Sequence, residues 1–136
     1  MQTRHNEATL NRPEGDRPLD LSVITMNFDK NILQLRREKS WKKNDRNGIT
    51  LYKTDGVTIV LTCLHKDAAI ENNISNSLLT IQVLDGAIDF AGGRTSQTLK
   101  KNEAVAVHPG IQHTIRAKED AAILLISTTI IRTLEH

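Results

Sequence analysis

Only four aromatic residues occur in the 136-residue chain: Phe28, Trp41, Tyr52 and Phe90. A platform that stacks nucleic-acid bases needs aromatic planes, and a cage for quaternary ammonium groups needs several together. Both function classes are set aside. Cysteine is scarcer still, because Cys63 is alone. A single thiol excludes a disulfide framework within one chain and a thiolate zinc centre. No stretch approaches the roughly 18 consecutive apolar residues of a membrane span, so no membrane partner is expected. The opening residues, MQTRHNEATLNRPEGDRP, lack the apolar centre of a secretory signal, and the expected setting is the cytoplasm.

The chain does contain enough apolar material for a core. Ile, Leu, Val and Phe number 37, or 27%, above the roughly 20% below which a chain reads as disordered. Length sets a prior of one domain. The net charge is +2, with a basic excess in residues 1–46, where Lys30, Arg36, Arg37, Lys39, Lys42, Lys43 and Arg46 cluster. Such a patch can hold phosphates. A short charge run also fits a solvated helix face, and nucleic acid is not an expected partner.

Residues 1–18 hold two of the three prolines and few apolar side chains, and read as a flexible arm. Residues 19–47 form a second segment. Leu21–Met26 is a strand or a lead-in. Asp29 is the expected N-cap of a helix over Lys30–Lys39, because Phe28, Ile32 and Leu35 recur at helical spacing. Trp41 then falls in a polar stretch, expected to be a loop, that ends at Gly48.

Over residues 48–133 the texture changes to short β-rich runs: Ile49–Lys53, Val57–His65, Leu78–Leu84, Ala87–Ala91, Thr95–Leu99, Ala104–Val107, His113–Ala117 and Ala121–Ile131. Asp55-Gly56, Asp85-Gly86, Gly92-Gly93 and Pro109-Gly110 are among the breaks, and such pairs tolerate the backbone of tight turns. Eight strands without intervening helices predict an all-β antiparallel sandwich or barrel. Lys66–Ser77 is too polar for a core strand and is expected to bend the chain between sheets.

The order of features from Leu79 to Ile115 resembles the cupin family of small double-sheeted jelly-roll barrels. The family's first motif is a His-x-His pair, a Glu and then a Gly after a strand. Gly86 fills the Gly position, Leu79 the Glu position, and Asn73 and Ser75 the two His positions. The second motif is a Gly, five residues and Pro-x-Gly-x-x-His. Asn102 stands at its Gly and His108 at its Pro, while Gly110 and His113 match. The resemblance implies a double-stranded β-helix barrel behind a short N-terminal helix. In metal-binding cupins three imidazoles and a carboxylate converge, a donor set suited to iron, manganese or zinc. Of those positions this chain keeps His113 alone.

No cofactor is therefore expected. The alternative is a transition metal on His65, His108 and His113. If odd residues of Val57–His65 point inward, His65 reaches the barrel mouth. The competing reading has His108 capping a turn and His65 at a solvated strand end. His113 is expected to line a pocket with Asn73, Ser75, Leu79, Ile81, His65 and His108, together with Val83, Val105 and Val107. Against that stands a buried imidazole paired with a backbone or Asn group. No catalytic residue is assigned, and Cys63 reads as a structural thiol.

The expected function is a small cupin-like barrel of unknown ligand, either a non-metal binder of small organic molecules or a vestigial cupin. The alternative is a metal-dependent oxygenase or isomerase. A homodimer is also expected, because Ala121–Ile131 is apolar on both parities and one barrel interior covers only one of them.

Overall fold

The computed structural model describes residue 19 and residues 21–130. The expected arm over 1–18 and the final residue of the expected last strand, Ile131, lie outside them. Among these residues two helices precede nine strands: α1 (Phe28–Leu35), α2 (Lys39–Lys43), β1 (Arg46–Lys53), β2 (Val57–Leu64), β3 (Ala69–Asn73), β4 (Leu78–Asp85), β5 (Ala87–Gly92), β6 (Thr95–Lys100), β7 (Ala104–Val107), β8 (His113–Ala117) and β9 (Ala121–Thr128). The strands pair antiparallel in two sheets, ordered β1-β2-β9-β4-β7 and β3-β8-β5-β6. This is the all-β antiparallel arrangement expected from the turn spacing, and the jelly roll that the resemblance implied. No helix among the described residues is long and apolar enough to cross a membrane.

Three local expectations are corrected. Asn27, not Asp29, caps α1, its side chain accepting the Lys30 amide at 3.0 Å. The helix therefore starts two residues earlier than expected and ends at Leu35. Residues 39–43 form a short helix instead of a loop, anchored by buried Trp41. Lys66–Ser77 contains the strand β3, which pairs with β8 alone and lies at the sheet edge. Its polar residues are tolerable there, because only one side of an edge strand is paired and Ile70 alone packs against the core.

The apolar residues form two cores. Between the sheets lie Leu64, Leu79, Ile81, Val83, Ile88, Phe90, Leu99, Val107, Ile115 and Ile123. On the outer face of the larger sheet, Ile32 and Leu35 of α1 and Trp41 of α2 cover Ile49, Leu51, Leu61, Cys63, Ala122 and Leu124. The odd residues of β2 thus face the helices, opposite to the inward parity proposed for His65. The buried Glu38 carboxylate joins the helical layer to the sheet, accepting from Gln34 Nε2 at 3.1 Å and Asn47 Nδ2 at 2.9 Å.

Two motif positions have a backbone reason. Gly86 sits at φ +77°, and a Cβ there would collide with the carbonyl oxygen of Asp120. Asn102, at the Gly position of the second motif, adopts φ +72°. Asn is one of the few residues with a side chain that enters this region readily.

Candidate functional site

One end of the sandwich gathers the starts of β8, β4 and β6 and the ends of β3, β5 and β7. His113 opens β8 opposite Gly92 on one side and Asn73 on the other. It is 2% exposed. Its Nδ1 donates to the Ile111 carbonyl at 3.1 Å, which leaves Nε2 to accept from Asn73 Nδ2 at 3.4 Å. The ring stacks against Phe90 with centroids 6.1 Å apart. Both ring nitrogens are thus satisfied within the chain, and the imidazole ties the loop before β8 to the end of β3.

The other expected site residues divide. Ser75 is near the same end, but its hydroxyl accepts the Ser77 amide at 3.0 Å and its carbonyl accepts the Gly110 amide at 2.9 Å. Leu79, Ile81 and Val83 are packed in the core between the sheets and do not line the cavity at the mouth. His108 is exposed at the mouth. His65 is at the other end. Its amide bonds Asp45, its carbonyl accepts the Ala68 amide, and Ala68 in turn bonds Ala117 at the far end of β8. Four residues of strand separate Ala117 from His113, roughly 13 Å. There His65 stacks on Trp41 at 3.4 Å, donates from Nε2 to the Trp41 carbonyl at 2.7 Å, and holds Nδ1 4.0 Å from Asp120. Beside it, hydrogen bonds from the Arg46 guanidinium hold the Asp45 carboxyl below the usual carboxylate range.

His65, His108 and His113 therefore do not converge as a ligand set. No group of three His, Cys, Asp or Glu side chains among the described residues could hold a metal ion. At the cupin ligand positions stand one imidazole with both nitrogens engaged, an amide, a hydroxyl turned to a backbone amide, and Leu79. That donor set does not fit a transition metal.

What the mouth does hold is a cavity of about 340 Å³ between the β5–β6 hairpin and β7. Phe90, Val105, Val107 and Ile111 give it apolar walls, and Arg94, Thr95 and His108 supply its polar side chains. The sequence reading singled out Val105, Val107 and His108 but not Arg94. Two larger clefts lie elsewhere: about 600 Å³ around the β4–β5 turn, and about 720 Å³ between residues 21–27 and α1. His113 is not on the cavity surface, yet it shapes it. It contacts Phe90 and holds the backbone of Ile111, both wall residues.

No protein-family model and no curated protein matches the chain. Solved structures do. A cupin superfamily protein from Desulfitobacterium hafniense superposes with a TM-score of 0.62 over 94% of this chain and 100% of that one, at 17% identity. An RmlC-like cupin from Shewanella frigidimarina gives 0.60 over 63% and 78%, at 12% identity. An RmlC-like cupin with a double-stranded β-helix fold from Methanocaldococcus jannaschii gives 0.57 over 65% and 84%, at 14% identity. The fold is that of the cupins.

Proposed function

We propose that this chain is a small-molecule-binding cupin that works without a metal, taking its ligand in the cavity between the β5–β6 hairpin and β7. The carrying observation is the cavity itself: about 340 Å³, mostly apolar walls and three polar side chains at its rim. That volume is at the low end of the roughly 300–1,000 Å³ of small-molecule sites, and the wall composition matches theirs. His113 acts as a positioning residue, setting Ile111 and Phe90. A cytoplasmic setting suits the free buried thiol of Cys63.

The test is a fragment screen read by amide chemical shifts, with metal analysis of protein purified without an affinity metal. Fragments should shift the Gly92, Val107 and Ile111 amides, and filling the cavity by Thr95→Trp should abolish those shifts. Fragment binding confined to other clefts, or stoichiometric iron, manganese or zinc, would overturn the proposal.

A homodimer belongs to the same proposal. Its support is no longer the apolar β9, which α1 and α2 cover within one chain, but Leu21 and Val23, 50% and 78% exposed beside α1. Apolar side chains left wet in this way favour contact with a second copy.

A further inference from the structure

We infer that the ligand of the mouth cavity is a small monocarboxylic acid with a compact apolar body, its carboxylate bound by Arg94. The inference rests on the reading of this cavity as the binding site.

Arg94 follows Gly93 in the β5–β6 turn and lines the cavity. Among the described residues it has no carboxylate partner, whereas Arg36, Arg46 and Arg116 are paired with Asp85, Asp45 and Glu71. No acidic residue is among the ten that line the cavity. A guanidinium beside low-dielectric walls favours an anion, and its planar fork matches a carboxylate with two parallel hydrogen bonds. One permanent cation matches one negative charge. Behind Arg94, Phe90, Val105, Val107 and Ile111 offer apolar surface to the rest of the molecule. The small volume limits that body to a short branched chain or one ring. Gly93 also fits this use: at φ +58° it turns the hairpin, and a Cβ there would lie 3.7 Å from Ile111 Cγ2, facing the opposite wall.

The experiment titrates the protein with benzoate, benzamide, benzylamine and phenyl phosphate, following the amides of Gly92, Gly93, Val107 and Ile111. Benzoate should bind about tenfold more tightly than benzamide, the increment of one charge-assisted pair. R94Q should abolish that preference, and R94K should retain part of it. Arg94 is exposed and has no ion-pair partner among the described residues, so both variants should keep the remaining spectrum unchanged. Equal or tighter binding of benzamide or benzylamine at the same amides overturns the carboxylate inference and leaves the cavity as the site. Tighter binding of phenyl phosphate replaces the class with a doubly charged one. A preference for benzoate that survives in R94Q removes the role given to Arg94. No shift with any probe overturns the cavity reading together with the inference.

Discussion

A side chain at Gly92 would occupy the space that His113 needs: a Cβ there would sit 2.8 Å from His113 Cβ and 2.9 Å from Phe90 Cζ. The two residues face each other across β5 and β8, so the strand that ends in glycine leaves room for the imidazole on the next. Neither neighbour can move cheaply, because His113 and Phe90 are both buried. Gly92→Ala should therefore destabilise the fold by about 1–3 kcal/mol, the range for overpacking a filled interior. Denaturant unfolding would show this, and a change within experimental error would mean that β5 and β8 shift apart there without cost.

The bonds of His113 fix its tautomer. A carbonyl accepts at Nδ1, so the neutral ring must carry its proton there, with Nε2 free to accept from Asn73. Long-range nitrogen spectra at pH 8 should show the Nδ1–H form. Asn73→Ala should cost about 0.5–1.5 kcal/mol and move the His113 Nε2 shift. An Nε2–H tautomer would contradict this arrangement.

Burial pushes the Cys63 thiol up to about 11, from 9.0. Its folded pKa lies above its unfolded one, so the unfolded chain gives up the proton first. The contribution to stability is complete below about pH 9 and is lost as pH rises towards 11. At about 1.4 kcal/mol per pH unit the loss reaches about 2 kcal/mol by pH 10.5. Unfolding free energies at pH 8 and 10.5 should fall by that much more for the unmodified protein than for Cys63→Ala. Equal falls would exonerate the thiol.

Leu124 is buried beneath α1 and α2 within one chain. Leu124→Lys should thus act on folding rather than on assembly. An unpaired buried ammonium costs on the order of 3–5 kcal/mol, readable as a lowered unfolding midpoint. The assembly test moves to Leu21 and Val23. Replacing both with Ser should shift the dimer towards monomer in light scattering, and a concentration-independent monomer for the unmodified protein would end the dimer proposal.

The strand rhythm was legible because turn pairs such as Asp85-Gly86 and Pro109-Gly110 punctuate it. What escaped has physical causes. At the sheet edge β3 can be polar, so its composition imitates a loop. Too short for periodicity, α2 is held by the single anchor Trp41. On β2 the more apolar parity faces the helices, while Thr58, Val60 and Thr62 pair with the inward residues of β9. Parity there followed a helical cover that strand alternation does not reveal. At the mouth, the second motif pointed to His113 and its neighbours. Arg94 escaped because its cavity arises where the edges of two different sheets meet, a proximity that no local spacing records.

The double commitment of β9 has its own outcome. Ala121, Ile123 and Leu125 serve one core, and Ala122, Leu124 and Ile126 the other. A slip of one residue would exchange these sets, a change that ruins a strand with one wet face but here merely trades Ile for Leu. Oil alone hardly distinguishes the alignments. The choice falls to the hinge before the strand, where Asp120 accepts the Lys66 amide and its carbonyl fills the vacancy at Gly86. Two polar details at a surface corner thereby decide which side of an eight-residue strand becomes the inside.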